Sequence, residues 1–212
     1  MSKPFVHLHL HTKYSMLDGA CHLEPLLARA AELGMPAVAM TDHGVMYGAM
    51  AFDHAAEQAA VKPIIGCECY INARAPLASR DPHIPYHHLV LLATDDAGYL
   101  NLAKLNSIAH LEGFYYKPRI DKETLAAHAG GLIALSACLQ GEVSSHLKDN
   151  NLEAARLAAG EYAGIFGRDN FFLEMQDHGI PDQQRVNAGL RQLARELGLR
   201  TVVTNDVHYL HR

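Results

Sequence analysis

Short apolar runs alternating with amphipathic stretches constrain this chain more than any other feature. Pro36-Ala37-Val38-Ala39-Met40 and Leu89-Val90-Leu91-Leu92-Ala93 have no polar face. Strands of that kind are buried on both sides, as in a largely parallel sheet covered by helices. The period along the chain predicts strands over 6–10, 36–40, 63–71, 89–93, 132–135, 170–174 and 201–204, with helices over 23–33, 45–60, 97–111, 152–166 and 183–197. An open doubly wound sheet fits the same rhythm, but no glycine-rich phosphate loop follows the first strand. A barrel accounts for more. Thr41-Asp42-His43, Glu68, Ser136-Ala137-Cys138, Glu174 and Asn205-Asp206-Val207-His208 all stand at or just beyond carboxyl ends of strands, where barrel active sites assemble.

Composition sets the outer bounds. With 212 residues, 49% of them hydrophobic, the chain can bury one large core and is not disordered. A net charge of −5 gives no global attraction to nucleic acid, although bound cations would reverse the sign locally. Cys21, Cys67, Cys69 and Cys138 have no framework spacing, so disulfides are not expected and a thiol is free to serve as a ligand. No signal peptide and no membrane-length apolar run is evident, which points to a soluble cytoplasmic protein without a membrane partner. The chain stops at His211-Arg212, just after the last candidate strand, where a barrel would want one more covering helix. That suggests a fragment of something longer.

Fifteen histidines are unusual, and several fall at the ends of apolar runs. In Val6-His7-Leu8-His9-Leu10-His11 a period of two puts three imidazoles on one face. A purely structural strand rarely needs that, whereas metal is a common multi-histidine partner. Asp42-His43-Gly44 and Asp206-Val207-His208 each add a carboxylate and an imidazole at a strand end. Any one of these motifs alone could be a turn cap or a core polar network; together with Glu68 and Cys138 they indicate a multinuclear metal site. Cys67 and Cys69 flank Glu68 and should face the core. Two stretches, 72–86 and 113–121, read as loops, and the second carries Tyr115-Tyr116-Lys117-Pro118-Arg119.

His9-Leu10-His11, Met16-Leu17-Asp18-Gly19, Thr41-Asp42-His43-Gly44, Pro63-Ile64-Ile65-Gly66-Cys67-Glu68, His88-Leu89-Val90-Leu91-Leu92, Ser136-Ala137-Cys138 and Asn205-Asp206-Val207-His208 occur in this order. In these motifs the chain resembles the polymerase and histidinol phosphatase (PHP) domain. More narrowly, it resembles the amino-terminal PHP domain of bacterial DNA polymerase III alpha subunits, from Phe5 to Leu210 and including the Tyr-Tyr-Lys-Pro-Arg segment. The resemblance implies a distorted (β/α)7 barrel, residues 1–212 forming a single domain, with three divalent ions at the carboxyl ends of the strands. His9, His11, Glu68 and Asp206 would hold the first ion; Asp18, His43 and His208 the second; Glu68, His88 and Cys138 the third. Imidazoles and carboxylates suit zinc or manganese, and the thiolate tilts one position toward zinc. His7 has no counterpart among those ligands and is expected in the core or behind the site; His87 should face away from it.

The activity so implied is metal-dependent 3′ to 5′ exonuclease hydrolysis of phosphodiesters, with Asp18, His43, Glu68 and Asp206 central. Its partners would be a DNA primer 3′ end, the remaining domains of a replicative polymerase and other replisome subunits. The chain has no room for palm, fingers or thumb, so it should not synthesise DNA alone. Arg119 and Lys117 are candidates for clamping a substrate phosphate, and Tyr116 or Tyr115 for stacking on a terminal base. Two other readings remain open: a small-molecule phosphoesterase like histidinol phosphatase, and a domain that binds metals without turnover.

Overall fold

A computed structural model describes residues 5–16 and 18–210. Leu17 of the 16–19 motif and the terminal pair His211-Arg212 lie outside the described residues. The elements in chain order are α1 (Leu23–Glu32), β1 (Ala37–Met40), α2 (Ala49–Gln58), β2 (Lys62–Asn72), β3 (His87–Ala93), α3 (Asp96–Leu111), β4 (Arg119–Asp121), α4 (Lys122–Ala127), β5 (Leu132–Leu135), α5 (Glu142–Lys148), α6 (Leu152–Phe166), β6 (Phe171–Met175), α7 (Pro181–Leu197) and β7 (Arg200–Val203). The sheet runs β1-β2-β3-β5-β6-β7, with β4 added beside the far end of β2. It curls into an α/β barrel, as the apolar runs predict.

Local chemistry explains where the helices begin and end. Asp95, Asp121 and Asn151 each accept from a backbone N–H three residues on, capping α3, α4 and α6. Pro181 opens α7, where its missing N–H is not needed, and Gly198 closes it at φ 65°. Helix α1 buries Leu23, Leu26, Leu27 and Ala30, one stripe at helical spacing. On the outer side of the sheet, Leu89, Leu91, Phe171 and Leu173 pack with helix residues such as Leu102, Leu105 and Leu190. Ala39, Val90, Leu92 and Leu135 form a second, smaller cluster. Burying each large side chain contributes about 1.5–3 kcal/mol.

Four expectations are corrected. The segment 6–10 forms no continuous strand: His7 bridges to Val38 and Leu10 to Val207. Its backbone serves two neighbours in turn, with Ala39 N donating to His7 O at 2.8 Å and His11 N donating to Val207 O at 2.7 Å. The segment therefore bends between β1 and the chain after β7, lying between the two ends of the sheet. Second, the sheet is not all parallel, because β3 runs antiparallel to both β2 and β5. An apolar run reports burial on both faces and carries no information about direction. Third, 113–121 is not wholly a loop, since Arg119–Asp121 pair with Tyr70–Asn72 as β4. A three-residue strand is too short to show a period. Helix α2 also starts at Ala49 rather than 45, because Gly44 adopts φ 63° and the chain turns before entering it.

Candidate metal centre

Nine side chains converge at one rim of the barrel. Glu68, on β2 and 1% exposed, is the hub. Its Oε1 lies 3.3 Å from His9 Nε2 and 3.0 Å from His88 Nδ1, and its Oε2 lies 2.6 Å from His43 Nδ1 and 3.6 Å from His11 Nε2. Asp206 Oδ1 stands 3.2 Å from both His9 Nε2 and His11 Nε2. Further out, Asp18 Oδ2 is 3.1 Å from His43 Nε2 and 3.9 Å from His208 Nε2. Cys138 Sγ is 3.7 Å from His88 Nδ1 and 3.9 Å from Glu68 Oε1. Three overlapping sets, His11/His43/His208, His9/His11/Asp206 and His43/Glu68/His88, have ligand atoms all within 4.8 Å of one another.

The backbone delivers these groups by different routes. Glu68 pairs with Val90 in the β2–β3 ladder, and His88, two residues before Val90, is its diagonal neighbour on the same face. His88 stands at the amino end of β3, unlike the groups at carboxyl ends of the neighbouring strands. Antiparallel β3 brings its start to the rim where its neighbours finish. Asp206 (φ 46°) and Ala137 (φ 62°), next to Cys138, are left-handed non-glycine residues, a backbone state that tends to collect at functional sites. Gly44, beside His43, also has positive φ; a Cβ there would lie 2.8 Å from Pro118 Cγ and 2.9 Å from the Tyr70 ring. Asp42 faces away from the cluster and accepts from Thr12 N and Thr12 Oγ1.

Burial and charge are tightly balanced. Burial would push Glu68 up, but His9, His88 and the close His43 imidazole hold it well below the carboxylate range. Burial likewise opposes ionisation of Asp206, yet His9 and His11 bring it down to about 2. His9 is raised well above its ordinary value, because Glu174, Glu68 and Asp206 outweigh burial. Burial dominates at His11 and lowers it to about 4. Cys138 is pushed up by burial and by Glu68, an effect that a bound cation reverses.

Polar atoms buried without a hydrogen-bond partner decide whether metals fit. They include His9 Nε2, His11 Nε2, His43 Nδ1, Glu68 Oε2 and Asp206 Oδ1. Buried polar groups are ordinarily paired, and these five point at one another's space. Nitrogen and oxygen lone pairs aimed at common points are what a divalent cation requires, so the residues present fit the group.

The cluster opens into a cavity of about 480 Å³ walled by Tyr14, Tyr70, Tyr86, Lys117, Pro118 and Gln140. A larger one, about 700 Å³, lies at the other end of the barrel among Ile64, Leu92, Ile133 and Phe172, and holds none of the metal-binding groups. Lys117 Nζ sits 5.2 Å from the centre of the Tyr70 ring, in the cavity wall. Tyr116 is 79% exposed and lies outside the cavity wall. Arg119 is corrected: it is 2% exposed, and its guanidinium donates to the carbonyls of Ser79, at 2.6 Å, and Gly113. A fork so engaged pins two loops together and does not reach the cavity. His7 stands apart, edge-on to Phe5 at 4.9 Å, and His87 lies by His146 at 6.3 Å.

Sequence reasoning placed Glu174 at a strand end but gave it no role. Its Oε1 lies 2.7 Å from His9 Nδ1. The signal was there, a lone carboxylate in the apolar run Phe171-Phe172-Leu173-Glu174-Met175, but nothing local names His9 as its partner. Tyr86 and Gln140 were missed because neither belongs to a recognisable motif.

Residues 7–178 match the family model described as PHP domain. DNA polymerase III subunit alpha of Thermus aquaticus is 48% identical over 213 residues, covering 98% of this chain and 17% of that protein. The Treponema pallidum protein of the same name is 46% identical over 207 residues, covering 97% of this chain and 18% of the relative. This chain therefore spans less than a fifth of the length of these relatives. Among solved structures, a Bifidobacterium adolescentis protein described as a metal-dependent phosphoesterase superposes with TM-score 0.60 at 17% identity, covering 98% of this chain and 89% of that one. An amidohydrolase from Chromobacterium violaceum gives 0.54 at 14% identity, covering 96% and 87%. These two likenesses speak for the fold alone.

Proposed function

This chain belongs to the PHP domain family, and we propose that its residues 1–212 form one domain of a longer replicative DNA polymerase and hydrolyse phosphodiester bonds at the 3′ end of a primer. The observation that carries this reading is the set of five unpartnered, buried ligand atoms meeting around Glu68 at the floor of an open cavity. His9, His11, Glu68 and Asp206 would hold one divalent ion, Asp18, His43 and His208 a second, and Glu68, His88 and Cys138 a third, with zinc or manganese suited to the donors. Such ions, when bound, supply Lewis-acid charge and lower the pKa of a water at neutral pH.

The chain's own residues do the rest. Glu68 is shared between sets and fixes their spacing. Asp18, with its side chain 47% exposed, faces the cavity and is placed to meet solvent and substrate. Lys117, a cation in the cavity wall, is placed to hold a phosphate, with Tyr70 and Tyr86 lining the space beside it. Polymerase and replisome partners follow from the relatives, each of which is several times longer than this chain.

The test is digestion of a 3′-mismatched primer-template by metal-stripped protein after defined additions of zinc or manganese, with Asp18→Ala treated identically. Metal-restored shortening that Asp18→Ala lacks is the expected result. Bound ions without shortening of any DNA end overturn the nuclease reading. Cleavage of a small phosphomonoester instead identifies a phosphatase.

A further inference from the structure

We infer that Glu174 is a positioning residue for the metal centre, acting through His9: it fixes which ring nitrogen carries the proton and aims the other at Glu68 and Asp206. The inference rests on the proposed metal site but not on what that site hydrolyses. The His9 ring has both nitrogens in contact with carboxylates. Nδ1 is 2.7 Å from Glu174 Oε1, while Nε2 is 3.3 Å from Glu68 Oε1 and 3.2 Å from Asp206 Oδ1. Only the Nδ1 contact is a formed hydrogen bond; Nε2 is among the unpartnered atoms. An imidazole that gives its Nδ1 proton to a carboxylate keeps the Nε2 lone pair for a cation and becomes a stronger donor.

The surroundings of Glu174 show it acting as an acceptor. Gln176 Nε2 lies 3.1 Å from the same Oε1, and Thr204 Oγ1 also donates to it. The Glu174 backbone N–H donates to Ser136 Oγ at 2.8 Å. His9 Nδ1, Gln176 Nε2 and Thr204 Oγ1, from three separate parts of the chain, thus converge on one oxygen. The other oxygen, Oε2, has no partner among the described residues, and Glu174 lines a cavity of about 10 Å³ beside Gln176, Gln183 and Asn187. That space is about one water in size and polar enough to hold it. A carboxylate buried in this way loses its hydration and needs donors around it. An amide oxygen would satisfy Gln176 and Thr204 equally well. The imidazole is the neighbour that gains from a full negative charge.

The experiment measures zinc affinity of the full chain by chelator competition, with no DNA present, for the wild type, Glu174→Gln, His9→Ala and the double variant. Glu174→Gln should bind zinc roughly 10–100-fold more weakly while its circular dichroism stays native. The double variant should bind no more weakly than His9→Ala alone, since a residue that acts through His9 has nothing left to act on. Affinity within about twofold of wild type, or additive losses in the double variant, overturns the inference. Long-range ¹H–¹⁵N correlation of the histidine rings in zinc-loaded wild type needs no substitution and decides the same point if Glu174→Gln does not fold. A proton on His9 Nδ1 is the expected result, and an unprotonated Nδ1 overturns it. Zinc binding without hydrolysis would remove the nuclease reading and leave this inference standing.

Discussion

His43 Nδ1 lies 2.6 Å from Glu68 Oε2, and both atoms are buried without a hydrogen-bond partner. The other nitrogen of the same ring reaches Asp18 at 3.1 Å. One imidazole thus spans a deep carboxylate and a half-exposed one, and the two carboxylates should differ in what their loss does. Glu68→Ala leaves His9, His43 and His88 without their shared counter-charge. It is expected to strip bound metal, abolish hydrolysis and lower metal-free stability by about 3 kcal/mol. Asp18→Ala should reduce hydrolysis on the order of a hundredfold or more, at a stability cost under about 1 kcal/mol. Metal content after dialysis, thermal melts and primer digestion check both; equal stability losses in the two variants would contradict the hub role of Glu68.

Lys117 and Arg119 are two residues apart and should behave oppositely. Arg119→Leu takes the donor from the Gly113 carbonyl and leaves the Ser79 carbonyl with only the exposed Arg80 guanidinium, and is expected to cost about 2 kcal/mol of stability. Lys117→Ala should change stability by no more than about 0.5 kcal/mol and raise KM for DNA several-fold. Denaturant titration and steady-state kinetics separate them. An Arg119→Leu protein of wild-type stability would show that the buried fork is not holding the loops.

Acid and base should both weaken the metal-free protein, for opposite reasons. His11 is lowered to about 4, below the ordinary value of about 6.5. The unfolded chain therefore binds more protons between those values, and stability falls as pH drops through that window. Asp206, lowered to about 2, contributes stability above its unfolded value of about 4 that is lost as pH falls further. His9 and His43 are raised, so their contribution is full below about 6.5 and is lost as pH rises through their folded values. Thermal melts across pH should show a maximum, and zinc should remove the alkaline decline by taking the place of the protons. A metal-free stability that rises steadily through pH 8 would contradict the raised imidazoles.

Gly44→Ala should be disproportionately damaging for a single methyl. The position has φ 63°, and the added Cβ would meet Pro118 and Tyr70 at 2.8 and 2.9 Å. A left-handed alanine costs roughly 1–2 kcal/mol before any clash, and relief requires moving the cavity wall or His43. The expected outcome is a lower Tm together with weaker zinc binding, measured on the same preparation. Loss of Tm alone would mean that the wall yields and His43 stays in place.

The sequence by itself determined the α/β class, most strand and helix positions, and the residue types of the centre. Those depend on local information: period reports burial, and a carboxylate or imidazole interrupting an apolar run reports a group that needs a partner. His9, His11, His43, Glu68, Cys138, Asp206 and His208 were legible in that way as candidates, and Asp18 and His88 through their places in ordered family motifs. What only the tertiary structure decided is direction and distance. Nothing in Leu89-Val90-Leu91 says that β3 runs backwards, yet that reversal puts His88 diagonal to Glu68. Nothing in Lys117-Pro118-Arg119 says that the chain enters β4 so as to leave one cation in the cavity wall and bury the other against backbone carbonyls. Glu174 and His9 are 165 residues apart, and their contact exists only because the segment carrying His9 folds in between β1 and the chain after β7. Side-chain chemistry is written locally, whereas pairing across the barrel is fixed by which strands meet and which way they run.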